Sequence, residues 1–538
     1  MKFLLPIIVS TISVSATPSN GRWNPSSRLT SDLAYISRHW GQISPYADNA
    51  EDFFGVDEVG LPDGCQIEQA HILQRHANRF PTALFDDGLN DENFAQKINN
   101  WTSVNSTKYF TGPLKFLNSY QYLMGESYLT GLGANAEFAS GIAFWNRYGR
   151  ILYNSSLGQL AYNASFPNGT ARPKLVLRTT GQSRIWNSQI NWALGFFGTS
   201  FQVDPDPTLA NFTSTYDVVV IPEGGTENNT LASYDSCFND NNVPEGQLGD
   251  LDILTYLPKY LTKATRRMQK YAPHGFTFTL NDTYAMQSIC AYETNYIGAS
   301  DFCTLFTEQE WTGFENTLDM EYYYDYGYGN PTGRAQGIGY LQELMARLTK
   351  QYISASNSSV NSTITNNPKD FPLDQKFYAD FSHDDIIVSV LTAASVDYFR
   401  DPPSLTDFPP NPDRHFILSH ITPFAGRLIT EVIGCADADP VAVKRHRTQY
   451  SPTQYGYDSN NAPHKFIRMR LNNGVLPLSS IRGGKCKGRT DGMCKMENFL
   501  ESQKRSYEKS NYDYACFGNY SLPFGPTSGH DYDGTIFE

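Results

Sequence analysis

The sequence predicts an α/β protein whose chemistry gathers where strands end. Three stretches carry that prediction, residues 65–82, 174–198 and 377–394. In each, a short apolar strand runs into polar and charged residues and then toward a helix. Strand ends are where open α/β sheets place their ligands.

The first stretch is CQIEQAHILQRHANRFPT. Ile67, Ala70, Ile72 and Leu73 make a buried-type strand, and residues 78–82, with Pro81, read as the turn into a following helix. Arg75, His76 and Arg79 suit the gripping of a phosphate while a neutral imidazole nitrogen attacks its phosphorus. Guanidinium forks match phosphate oxygens and stay charged, helix N-terminal amides add donors, and imidazole is a competent covalent nucleophile. A basic surface turn with solvated charges would use the same residues.

In the second stretch Leu175, Val176 and Leu177 form a strand and residues 179–183 a polar turn. A helix follows with Ile185, Trp186, Ile190, Trp192, Leu194 and Phe197 at helical spacing. Arg184 stands at its start, where an anion is favoured, although an exposed arginine would occupy the same place. In the third, an aromatic strand from Phe377 runs into Ser382, His383 and Asp384, and Ile386 to Leu391 begin an apolar helix. Asp384 fits a proton donor to a leaving alkoxide and later an activator of water, with His383 as a phosphate contact. The alternative is an Asx-type helix cap beside a core histidine.

Elsewhere, residues 17–60 read as an N-terminal arm with a helical segment at 28–39. Residues 114–129 and 134–153 read as a helical layer, and 216–222 as a strand. Residues 251–271, 282–297 and 333–348 carry helical periodicity. EYYYDYGYGNPTG, 321–333, reads as a Tyr/Gly loop that lines a pocket or packs internally. Residues 357–368 read as a flexible surface connection. Strands are expected over 424–435 and 465–471 and a terminal helix over 493–507.

The 538 residues, 40% hydrophobic and 14% aromatic, suit a large folded unit. Residues 1–16, with a basic second residue, an apolar centre and a small-residue ending, read as a signal peptide, and no later run is apolar enough for a span. A secreted protein is expected, without membrane attachment. Eight cysteines permit four disulfides. Glycosylation acceptors recur at Asn100, Asn105, Asn154, Asn163, Asn168, Asn211, Asn228, Asn281, Asn357, Asn361 and Asn519. A net charge of -13 argues against nucleic acid or acidic membranes as partners, and the basic run from Lys444 to Arg447 reads as a solvated loop. No zinc-like Cys/His spacing is present, so no metal or cofactor is expected. Oligomeric state is not legible.

RHANRFPT resembles the RHGxRxP signature of the histidine acid phosphatases, the family that includes fungal phytases and secreted yeast acid phosphatases. The family's glycine is Ala77 here, at a position where glycine marks crowded or positive-φ backbone. Arg178 to Ser188 resembles the family's R-x5-R-x3-S segment, whose second arginine clamps phosphate. SHDD, 382–385, looks like its HD motif, with Asp385 where fungal relatives often carry asparagine. The likeness runs from about Cys65 to Gly518.

The resemblance implies a central mixed sheet flanked by helices, with an inserted, mostly helical smaller domain. The α/β core would cover about 60–85, 171–235 and 370–538 within the 17–538 unit, and the helical insertions about 86–170 and 236–369. It implies an acid phosphatase acting on phosphate monoesters, phytate among the candidates. His76 would be the nucleophile, Asp384 the proton donor, and Arg75, Arg79, Arg184 and His383 the phosphate ligands. It pairs Cys65 with Cys435, Cys237 with Cys516, Cys290 with Cys303 and Cys486 with Cys494. The alternative is a secreted, glycosylated binding or cell-wall protein of the same fold, its catalysis weakened by Ala77.

Overall fold

Apolar runs that lack polar alternation belong in strands covered on both faces, and the computed structural model places them there. It describes residues 25–82, 88–105, 107–156, 158–166, 168–198, 215–225, 227–444 and 456–538. The expected signal peptide at 1–16, Asn211 and the basic run beyond Lys444 lie outside the described residues. The strands are β1 (Cys65–Arg75), β2 (Leu175–Thr180), β3 (Tyr216–Ile221), β4 (Phe377–Ser382), β5 (Arg427–Cys435), β6 (His464–Leu471), β7 (Gly474–Val475) and β8 (Cys494–Lys495). Among the described residues they form one sheet in the order β3-β2-β4-β1-β5-β6-β7, with β8 on β6. The four strands from β3 to β1 are parallel, and β5 and β6 run antiparallel, so the sheet is mixed.

Helices cover it: α1 (Leu89–Val104), α2 (Gly131–Phe144), α3 (Ser183–Phe197), α4 (Leu248–Gln269), α5 (Leu280–Ile297), α6 (Glu308–Asp325), α7 (Gly333–Thr349), α8 (Asp384–Ala393) and α9 (Met496–Gln503). Capping boxes start two of them, Thr279 with Asp282 and Thr307 with Glu310. An aromatic core of Trp145, Trp192, Phe196, Phe377 and Phe381 packs α2 and α3 against the sheet, while α4 to α8 share a larger apolar cluster. Glycine permits two close crossings. A methyl on Gly195 of α3 would strike the Phe138 carbonyl of α2, and one on Gly337 of α7 the Ser389 carbonyl of α8.

Several expectations change. Residues 114–129 are not one helix; a 3-10 segment, Gly112–Ser119, is followed by extended chain to the start of α2. Glu321 to Asp325 belong to α6, so only the second half of the tyrosine-rich run is a loop. Within 357–368, Ser358, Ser359, Val360 and Thr365 are buried, and the Asn228 amide donates to the Ser358 and Val360 carbonyls. That segment is packed, against the reading of a flexible surface connection. The expected terminal helix breaks after Gln503 into further short helices, and the chain continues to Glu538.

The disulfides join Cys65 to Cys435, Cys237 to Cys516, Cys290 to Cys303 and Cys486 to Cys494. The first links facing residues of β1 and β5. Of the sequon asparagines, Asn100, Asn154, Asn163, Asn168, Asn228, Asn357 and Asn519 are exposed, and Asn105, Asn281 and Asn361 half-buried.

A buried charge cluster locks the sheet to α7. Asp380 of β4 accepts from Arg178 Nε of β2 at 2.7 Å and from Arg347 Nη1 of α7 at 2.5 Å, while Arg178 Nη2 reaches Glu343 at 2.8 Å. Burial alone would raise the Asp380 pKa, but Arg178 and Arg347 outweigh it and hold the carboxyl far below its usual range. Asp380→Asn removes the carboxylate that two buried guanidinia share, of which Arg178 keeps Glu343. It is expected to cost about 3–5 kcal/mol, read as a lower urea midpoint; a loss under about 1 kcal/mol would refute the coupling. Because the folded pKa is depressed, this stability is complete above the unfolded value of about 3.9 and is lost as pH falls below it.

Candidate active site

Parallel pairing brings the three strand-end segments together. Arg75 faces Ser382 across β1 and β4, and Arg178 and Thr179 face Asp380 and Phe381 across β2 and β4. The ladder continues one step beyond the strands, where the His76 N–H donates to the Ser382 carbonyl at 3.1 Å. His76 and His383 therefore leave the sheet side by side, their ring centroids 6.0 Å apart.

His76 is buried, and its Nδ1 lies 2.8 Å from the Ala77 carbonyl. A carbonyl only accepts, so Nδ1 carries the proton and Nε2 keeps its lone pair. Burial, then Arg75, Arg184, Arg79 and His383, hold the His76 pKa well below the usual imidazole value, so the ring is neutral in acid. Ala77 is buried and its N–H donates to Ser188 Oγ at 3.2 Å. It is not among the non-glycine residues at positive φ, so its methyl brings no left-handed strain. Ala425, whose N–H donates to the His76 carbonyl at 2.9 Å, does occupy that region at φ 57°.

The Arg75 guanidinium is fully buried. Its Nη1 donates to the Gln42 carbonyl and, at 2.8 Å, to that of Thr422, and it lies 4.7 Å from the Phe424 ring. Its Nη2 meets Asp384 Oδ2 at 2.5 Å. The same oxygen accepts from the Tyr322 hydroxyl of α6 at 2.7 Å. Burial opposes ionisation of Asp384, but Arg75, Arg79 and Tyr322 outweigh it and lower its pKa. Asp385 moves the other way: burial, Asp384 and Asp240 raise it well above the usual range.

Arg79 donates to the Phe80 carbonyl at 3.0 Å and lies next to Tyr292. Arg79 pairs with Leu129, residues 80–82 are not helical, and the next described helix, α1, starts at Leu89. The helix starts that carry site residues are those of α3 and α8, where Arg184 is the second residue and Asp384 the first. Arg184 Nε is buried without a protein hydrogen-bond partner. Burial and then Arg79 lower the pKa of Arg184.

Sequence reasoning missed Glu223. Its Oε1 lies 3.0 Å from His383 Nε2, and its Oε2 accepts from the Tyr234 hydroxyl at 2.9 Å. Burial would raise its pKa, but His383, Thr180 and Tyr234 bring it down to about 2. The signal was present, since Glu223 follows the end of β3 as the other site residues follow β1, β2 and β4. Gln42 and Tyr322 carried no comparable signal. Arg79, Arg184, His383 and Asp384 line one cavity of about 490 Å³.

A neutral imidazole nitrogen near three guanidinia, beside a carboxyl at a second strand end, suits phosphoryl transfer chemistry. The family model described as histidine phosphatase superfamily (branch 2) matches residues 66–472, and the chain belongs to that superfamily. It is a phosphoric monoester hydrolase. Among curated relatives, Phytase A of Aspergillus fumigatus is 31% identical over 483 residues, covering 88% of this chain and 95% of the relative. Phytase A of Aspergillus oryzae is 29% identical, covering 93% and 96%. The crystal structure of the phytase from D. castellii shares the fold, with a TM-score of 0.65, 23% identity and coverage of 90% and 88%. Among the described residues no helix is long and apolar enough to cross a membrane.

The charge neighbours of His76 predict a pH effect. Arg184→Gln removes one of the cations that depress the His76 pKa, so that pKa rises. The acid limb of the kcat/KM profile, where His76 becomes protonated, is then expected to move up by about half a unit or more. A profile that loses height without moving would refute the electrostatic role.

Proposed function

We propose that this chain is a secreted acid phosphatase working through a phosphohistidine on His76. The carrying observation is the His76 tautomer, with Nδ1–H committed to the Ala77 carbonyl and Nε2 left to attack. Arg75, Arg79, Arg184 and His383 hold the phosphoryl oxygens. His76 Nε2 forms a bond to phosphorus as the ester P–O bond breaks, and the departing alkoxide takes a proton from Asp384. Water then attacks the phosphohistidine, passing its proton to the Asp384 carboxylate, and inorganic phosphate leaves with His76 restored. Positioning and charge stabilisation supply most of the acceleration.

Asp384 begins ionised beside Arg75, so the donor must gain its proton when substrate arrives. A phosphate dianion adds negative charge next to Asp384 and shares Arg75, and both effects raise its pKa. Acidic solution then supplies the proton, while His76 stays neutral for the reasons given above. The leader at 1–16, the sequons and the disulfides support secretion as a glycoprotein. The division into an α/β core at about 60–85, 171–235 and 370–538 with helical insertions at about 86–170 and 236–369 belongs to the same reading. Relatives named phytase make phytate a candidate substrate.

His76→Ala is expected to abolish hydrolysis of p-nitrophenyl phosphate and the trapping of phosphate on the acid-quenched protein. Asp384→Asn is expected to slow alkyl phosphates by about 10²–10⁴ and p-nitrophenyl phosphate by much less, because nitrophenolate departs without protonation. Undiminished turnover in His76→Ala, or equal slowing of both esters in Asp384→Asn, would overturn the mechanism.

A further inference from the structure

The cavity that holds the phosphate ligands has a second population of charges that the chemistry above does not use. Among the described residues its lining has Arg79, Arg184 and His383 as the basic residue types and no lysine. Against them stand six carboxylate-bearing residues: Asp240, Asp250, Glu321, Asp325, Asp384 and Asp385. Asp384 belongs to the chemistry. Asp250 comes from the first turn of α4, Glu321 and Asp325 from the last turns of α6, and Asp240 from the segment between β3 and α4.

The two populations come from different elements, the first from the segments after β1, β2 and β4, and Asp240, Asp250, Glu321 and Asp325 from α4, α6 and the segment before α4. Arg184 feels Arg79, Tyr234, Asp384 and Glu223, the groups around the phosphoryl position. The Tyr326 phenol feels Asp325, Asp385, Asp240 and Glu321. Asp240 and Asp325 are held in place, Asp240 by Thr332 at 3.0 Å and Gln336 at 2.6 Å, and Asp325 by the Gly249 N–H at 2.7 Å. Asp385 is not so satisfied: it is 5% exposed, it lines the cavity, and its Oδ2 has no hydrogen-bond partner. A buried polar atom without a partner is costly, and a bound hydroxyl or ammonium would satisfy it.

An ester has two ends. The phosphoryl end needs the arginines and His76, so its alcohol end must occupy the remaining, carboxylate- and tyrosine-lined part of the cavity. Burial raises Asp240 to about 7, and burial with the neighbouring carboxylates Asp384 and Asp240 raises Asp385 as well. In acid those two offer O–H donors and carbonyl acceptors to hydroxyl groups. A second anionic group on the alcohol would meet the carboxylates Asp250, Glu321 and Asp325 there, and repulsion is an effective means of rejecting a ligand.

We propose that this cavity selects singly phosphorylated alcohols whose leaving group is uncharged and hydroxyl-bearing or cationic, and discriminates against esters that carry another anionic group, phytate included. The inference rests on the phosphatase reading and adds the substrate class. Asp240, Asp250, Glu321, Asp325 and Asp385 act as specificity determinants for the alcohol end.

Glycerol 3-phosphate and 3-phosphoglycerate test this closely, since both release a primary alcohol of similar size and differ by a carboxylate. With the full-length secreted protein, kcat/KM for glycerol 3-phosphate and for O-phosphoethanolamine is expected to exceed that for 3-phosphoglycerate and for phytate by tenfold or more. Glu321→Gln and, on the more accessible α4 turn, Asp250→Asn are each expected to reduce the glycerol 3-phosphate to 3-phosphoglycerate ratio threefold or more. The ratio is independent of the fraction of folded protein. Measurable turnover with equal kcat/KM for the matched pair, phytate as good a substrate as glycerol 3-phosphate, or an unchanged ratio in both variants would overturn the inference alone. Absence of turnover with every ester would overturn the phosphatase mechanism together with it.

Discussion

The site depends on one buried contact, the Arg75 guanidinium against the Asp384 carboxylate at 2.5 Å. It joins the end of β1 to the start of α8, and so ties the segment bearing His76 to the one bearing His383 and Asp384. Such a pair does not stabilise a fold cheaply, because both ions lose their water. Here the loss is offset on both sides. Arg75 also donates to the Gln42 and Thr422 carbonyls and lies on the Phe424 ring, and Asp384 also accepts from Tyr322. The N-terminal arm, the segment before β5, and α6 therefore all brace one ion pair.

That pair also sets the order of charge states. Arg75 lowers the pKa of His76 and of Asp384 together, keeping the imidazole neutral and the carboxyl ionised in the resting site. The first effect serves a nucleophile in acid; the second works against a proton donor. In the proposed mechanism substrate resolves the conflict, since a phosphate dianion competes for Arg75 and raises the proton affinity of Asp384 where a proton is next required. Glu223 has a related position beside His383, its Oε1 3.0 Å from the ring's Nε2.

How much of this was legible in the sequence follows from the range of the interactions involved. Residues at strand ends were readable because the pattern is local: an apolar run, then charge, then helical periodicity. His76, Arg184 and Asp384 all fall under that rule, and Glu223 would have done so had β3 been treated like its neighbours. The α6 helix was missed: no helix was expected over 308–320, and Glu321 to Asp325 sit among tyrosines that resemble a loop until packing covers them. The segment at 357–368 looked free for the opposite reason, since its polar composition gave no sign that Asn228 would bond its backbone. Gln42 contributes a backbone carbonyl, an atom every residue has, so no side-chain pattern could have marked it.

The same division of labour bears on what relatedness transmits. The groups around the phosphoryl position come from the carboxyl ends of β1, β2, β3 and β4, where ladder hydrogen bonds fix the spacing of backbone atoms and leave little freedom. The groups around the alcohol come from α4, α6 and the segment between β3 and α4, whose side chains project into the cavity without taking part in the sheet. A substitution there changes the charge that meets the leaving group while the phosphate ligands keep their geometry. Relatives at 31% and 29% identity can therefore share the reaction and differ in what they act upon. In this chain the alcohol side is acidic and tyrosine-rich within a protein of net charge -13. On the proposed reading, attraction for an anionic substrate comes from the arginines at the strand ends.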